Sequence, residues 1–107
     1  MKRSILFATT LAVAGLGLAT SADAGWRANH PRRAEVNARL ANQDRRIHQE
    51  RKEGEITAAQ AHDLHAEDRG IRGQERYDAS LNNGHITHAE QARLNHEENQ
   101  VSQQIGR

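Results

Sequence analysis

Past residue 30 the apolar positions recur at helical intervals within otherwise polar sequence. Val36, Leu40 and Ile47 stand four and seven apart, and Leu94, Val101 and Ile105 stand seven and four apart. Such intervals keep one narrow stripe on one helix face. Two stretches thirty positions apart punctuate the pattern: Gly54-Glu55-Ile56-Thr57-Ala58-Ala59-Gln60 and Gly84-His85-Ile86-Thr87-His88-Ala89-Glu90. Each is spelled as a helix end followed by a helix start. Gly54 and Gly84 can take the left-handed conformation just past a helix end, and Thr57 and Thr87 can cap the helix that follows. Gln60 and Glu90 then complete capping boxes, with Ile56 and Ile86 as hydrophobic staples one residue before each cap.

Four short helices are predicted around these corners. The first starts at Pro31, which suits the first helical position, and runs to about Lys52. The second covers Thr57 to about Arg69, with Ala61, Leu64 and Asp68 on the staple side, and Gly70 and Gly73 bracket a break. A third carries Tyr77 and Leu81 as far as Asn82, and a fourth runs from Thr87 through Ile105. At an offset of thirty, Arg46 meets Arg76, Leu64 meets Leu94, Glu67 meets Glu97 and Ile71 meets Val101. The expected fold is therefore all-α: two similar helical hairpins, over 31–69 and 71–105, behind a flexible leader at 25–30. Asn83-Gly84 also spells a β-hairpin turn, but nothing strand-like follows Ile86.

The N-terminus reads differently. Lys2 and Arg3 precede an uncharged apolar run from Ile5 to Leu18, and Ala22-Asp23-Ala24 supplies a small-residue ending, the three parts of a secretory signal peptide over residues 1–24. As a membrane anchor the run is too short, since it reaches only about 21 Å against a hydrocarbon core of ~30 Å. The chain has no cysteine, which excludes lipid attachment through a cysteine at the cleavage site, disulfides and thiolate metal sites. A bacterial protein exported to the periplasm or beyond is expected. Loss of residues 1–24 also removes Phe7, the single phenylalanine, leaving Trp26 and Tyr77 as the aromatic complement of a thin core. A domain of this size is marginally stable without a partner, a metal or a second copy of itself, so part of it is expected to be loosely ordered.

Charge narrows the function classes. Lys and Arg number 15 against 14 Asp and Glu, a balance that argues against nucleic acid as a partner. The distribution is uneven: residues 27–46 hold Arg27, Arg32, Arg33, Arg39, Arg45 and Arg46, whereas residues 53–68 are acidic with no Lys or Arg. Either the basic first helix packs beside the acidic second, or it forms an arm for anionic lipid or lipopolysaccharide.

The seven histidines are the candidate chemistry. His62 and His65 are one turn apart on the second helix with Asp68 one turn further, and His88 or His96 could complete a site if the hairpins pack together. Imidazole with carboxylate suits zinc, copper(II) or nickel. The competing explanation is that these histidines are solvated helix-surface residues. Catalysis has little to stand on, because Ser80 and Ser102 lie in no nucleophile-like turn and no sequence feature shelters a carboxylate pair.

The Gly-x-Ile-Thr corners resemble the second half of an EF-hand loop and the degenerate corners of small secreted proteobacterial helical-repeat proteins. Counting back from Gly84 and Gly54 as the sixth loop position places Ala79, Leu81, Gln49 and Arg51 where calcium ligands belong, and Gln60 replaces the bidentate glutamate, so calcium is not expected. Ile56-Thr57-Ala58-Ala59-Gln60 and Ile86-Thr87-His88-Ala89-Glu90 also resemble the Leu-Thr-x-x-Gln signature of the Spy and CpxP group of periplasmic proteins. That resemblance implies a chaperone-like or sensor-interacting helical protein. The expected function is a non-catalytic periplasmic accessory or stress protein that acts by binding, with a divalent transition metal as the favoured ligand. The alternatives are a Spy-like role with a protein partner and a purely structural envelope protein.

Overall fold

The computed structural model describes residues 21–106; the apolar run of the expected signal peptide lies outside them. Four helices form among the described residues: α1 (Ser21–Asn29), α2 (Pro31–Lys52), α3 (Ala58–Ser80) and α4 (His88–Ile105). The described residues are all-α, with no strand among them. Helices α2, α3 and α4 each pack on the other two, and α1 lies against α2. Pairing across the interfaces gives the directions. Arg33 meets Glu75 and Asp44 meets His65, so α2 and α3 are antiparallel; Gln104 reaches Glu67 and Arg93 reaches Asp78, so α3 and α4 are too. The result is an up-down-up three-helix bundle.

Both corners form as their residues dictate. Thr57 Oγ1 accepts from the Gln60 amide at 3.0 Å while Gln60 Oε1 accepts from the Thr57 amide at 2.7 Å. Thr87 and Glu90 repeat this at 3.0 and 2.8 Å. The staples Ile56 and Ile86 are buried. At the end of α2, Gly54 adopts φ 80°, with its amide bonded to Arg51 O and that of Glu55 to Glu50 O, which satisfies two otherwise orphaned carbonyls. The second corner is longer: α3 stops at Ser80, and both Asn83 (φ 55°) and Gly84 (φ 90°) take left-handed backbone before Thr87.

The expected break at Gly70 and Gly73 does not occur, and the two middle helices are one. Ala61, Leu64, Asp68, Ile71, Glu75 and Asp78 are buried at alternating steps of three and four, a stripe that passes both glycines without a change of phase. Gly70 and Gly73 lie on the exposed outer face and no proline interrupts. Each glycine costs only about 1 kcal/mol against alanine, which packing on two neighbouring helices offsets. The thirty-residue repeat thus describes two corners sharing one long helix. Tyr77 and Leu81, expected as the apolar face of a separate third helix, are instead 60% and 61% exposed. The expected flexible leader at 25–30 is helical through Asn29.

The apolar interior consists of Val36, Leu40, Ile47, Ile56, Ala61, Leu64, Ile71, Ala79, Ile86, Leu94, Val101 and Ile105. Gly70→Ala and Gly73→Ala, each with open space around the added Cβ, should raise stability by about 0.5–1 kcal/mol apiece. Gly84→Ala should lower it, because φ 90° strains any side chain. Thermal melts of the three variants check this; loss of stability in both α3 variants would instead indicate a break in that helix.

Candidate functional site

The five residues expected to bind metal do not converge. His62 sits on the solvent face of α3 with its Nδ1 3.7 Å from Asp63, and His65 turns toward α2, its Nδ1 3.2 Å from Asp44 Oδ1. Asp68 points into the bundle, because it falls on the Leu64–Ile71 stripe that His62 does not share. His88 is exposed in the first turn of α4, and His96 is exposed one turn from Gln100. Among the described residues no group of three or more His, Asp or Glu side chains could hold a metal ion. The cap residues Gly54, Thr57, Gln60, Gly84, Thr87 and Glu90 are where the sequence placed them, and their work is structural.

Two other clusters carry the unusual chemistry. The first is a polar layer across the middle of the bundle. Gln43 of α2, Asp68 of α3 and Glu98 of α4 are all buried, with Gln43 Nε2 donating to the Glu98 backbone carbonyl at 2.7 Å. Both Asp68 carboxyl oxygens, Glu98 Oε2 and Gln43 Oε1 have no hydrogen-bond partner. Arg39 Nη1 lies 3.5 Å from Glu98 Oε1. The Asn95 amide, turned as its neighbours require, donates to Glu98 Oε1 and Glu35 Oε1 at 3.2 Å each. Burial pushes the Asp68 carboxyl up to about 7, with Asp44 and Glu67 adding to the rise and His65 and Arg72 opposing it. Burial likewise pushes Glu98 up to about 8; Arg39 opposes this while Glu35, Asp68 and Glu75 reinforce it. Ionising a carboxyl moved that far costs about 4 kcal/mol in place, on the rule of about 1.4 kcal/mol per pH unit. A small domain has only about 5–15 kcal/mol in all.

The second cluster closes the end of the bundle where α1 joins. The Trp26 ring stacks on His30 at 4.5 Å between centroids and His30 on His85 at 4.7 Å, with the Arg33 guanidinium 5.3 Å from the indole centre. His30 Nδ1 is 2.8 Å from Trp26 O. Arg33 pairs with the buried Glu75 carboxylate and donates to Gly84 O at 3.0 Å, while Arg32 donates to Ile86 O at 3.3 Å. Two arginines and two stacked imidazoles therefore tie the start of α2 to the α3–α4 corner. Asp78, also buried, is held by Arg93 at 3.1 Å and by Gln74 at 2.9 Å.

Sequence reasoning missed Gln43, Glu75, Asp78 and Glu98, although a signal for the layer was there. Each apolar stripe has one gap of seven, Leu40 to Ile47, Leu64 to Ile71 and Leu94 to Val101, and the vacant heptad positions within them are Gln43, Asp68 and Glu98. Asp68 and Glu98 are themselves thirty apart, so the repeat carries the acid as well as the corner.

The chain matches no protein family, no curated protein and no solved structure.

Arg33→Met leaves the Glu75 carboxylate buried without its partner and should cost about 3–5 kcal/mol, whereas Arg33→Met with Glu75→Leu should recover most of that loss. Urea unfolding of the two variants measures the difference.

Proposed function

We propose that this chain is a non-catalytic accessory or stress protein of the bacterial envelope, exported by its N-terminal signal, which works by binding another polypeptide. The observation that carries this reading is the placement of Tyr77 and Leu81. They are large apolar side chains four residues apart, Tyr77 in the last turn of α3 and Leu81 at its C-cap, and both are more than half exposed in a chain otherwise short of large apolar residues. A tyrosine beside a leucine offers an amphipathic contact for the apolar side chains of an incompletely folded or helical partner. The Leu-Thr-x-x-Gln-like corners, and the resemblance to chaperone-like periplasmic proteins that they carry, point the same way. No helix of the described residues is long and apolar enough to cross a membrane. Metal handling through histidines has less support, because His62, His65, Asp68, His88 and His96 face different ways.

The test is suppression of light scattering by an aggregating, chemically unfolded client, with chelator present. The protein should slow aggregation at near-stoichiometric amounts, and Tyr77→Ser/Leu81→Ser should lose most of that effect while keeping its helical circular dichroism. Equal suppression by the variant, or none by the parent, would overturn the reading. A gain in melting temperature with stoichiometric zinc, copper(II) or nickel that His62→Ala/His65→Ala abolishes would move the function to metal.

A further inference from the structure

The Gln43–Asp68–Glu98 layer divides the interior. On one side lie Ile47, Ala61, Leu64, Val101 and Ile105, and toward the other end of the bundle lie Val36, Leu40, Ile71, Leu94 and Ile86. At this level each helix places a polar side chain where its heptad would otherwise supply an apolar one, and four of the oxygens there have no partner. A carboxyl group without a donor is tolerated in an apolar interior only while it is protonated; once ionised it must find water or a cation. The groups facing Asp68 are Asp44 from α2, His65, Glu67 and Arg72 from its own helix, and Glu98 from α4. Those facing Glu98 are Glu35 and Arg39 from α2 and Asp68 and Glu75 from α3. Arg39 is the cation nearest the layer, at 3.5 Å from Glu98 and itself partly drawn off to Asn99. Arg39 beside Glu98 and Arg72 near Asp68 are set against Asp44, Glu67, Glu35 and Glu75 as well as the two acids themselves, so the layer is not neutralised when both ionise.

We infer that this layer is a proton-operated latch: with Asp68 and Glu98 protonated the three helices close, and with both ionised the bundle loosens at its middle and exposes the apolar stripes on either side. The direction follows from proton counting. Folding raises both carboxyls from the ordinary range near 4 to about 7 and about 8. Between those limits the folded chain holds more protons than the unfolded one, so stability falls as pH rises through the window and is complete below it. Most proteins with salt-bridged carboxylates lose stability toward acid, so the sign distinguishes this arrangement from ordinary surface pairing. The latch concerns the interior alone, so its failure would leave the Tyr77–Leu81 reading untouched, and loss of client binding would leave the latch intact.

The experiment is urea unfolding of the purified protein at pH 5, 6, 7 and 8 and fixed ionic strength, for the parent, Asp68→Asn, Glu98→Gln and the double variant. The parent's folded-to-unfolded ratio should drop at least about tenfold between pH 5 and pH 8. The isosteric variants, neutral at every pH, should flatten that dependence and exceed the parent at pH 8. A parent whose midpoint is constant or rises with pH would overturn the latch, as would a double variant that keeps the parent's slope. Carbon-13 titration of the parent's side-chain carboxyls provides a reading that does not need the variants to fold. Two carboxyls titrating above pH 6 are expected, and their absence would equally overturn it.

Discussion

Everything in this bundle is arranged around the difficulty of burying three polar side chains at one level of a three-helix core. Gln43, Asp68 and Glu98 occupy heptad positions, so they cannot turn to solvent without turning the apolar neighbours of their own stripes out as well. The apolar residues on either side hold the layer in place, and the layer limits how much those residues can stabilise. A buried carboxyl that keeps its proton is tolerable in such a core; an ionised one is not. The other buried acids are treated differently, since Glu75 has Arg33 and Asp78 has Arg93. The molecule therefore uses two solutions to the same problem, arginine-paired carboxylates toward the α1 end, and in the middle an Asp68 with neither oxygen bonded and a Glu98 with one oxygen left without a partner.

Much of the architecture was legible in the sequence because it is written locally. The capping boxes at Thr57 and Thr87 need only the residues within one turn, and both form with the hydrogen bonds their spelling implies. The all-α class follows from the same signals. The break expected at Gly70 and Gly73 was misjudged because glycine propensity is a weak local preference, whereas the stripe from Ala61 to Asp78 is enforced by contact with two other helices. Tyr77 was misplaced for the same reason, since once α3 is continuous its phase is set upstream and Tyr77 falls outside the buried face, while Leu81 falls just past the helix end.

The candidate chemistry was less legible. His62 and His65 do lie one turn apart, but a shared helix face says nothing about what the neighbouring helix brings to it, and α2 brings the single carboxylate of Asp44 to His65. Asp68 was grouped with those histidines by spacing and separated from them by burial. The positions that matter most inside the bundle could be recognised only as gaps in an apolar pattern, and a polar residue in such a gap ordinarily marks a solvated face. Only the packing of three helices shows that the gaps at Gln43, Asp68 and Glu98 meet.

Because α3 is one helix, the bundle has an odd number of long helices, and this determines where the chain enters and leaves it. Two separate hairpins would have returned the C-terminal end to the side on which the first helix began. Instead Pro31 and Ile105 lie at opposite poles, with α2 (22 residues) running about 33 Å between them. A protein anchored through its N-terminal end would hold its C-terminal end a bundle's length away. In mechanical terms, a pull applied between the two ends would run along the bundle axis and cross the acidic layer at mid-span.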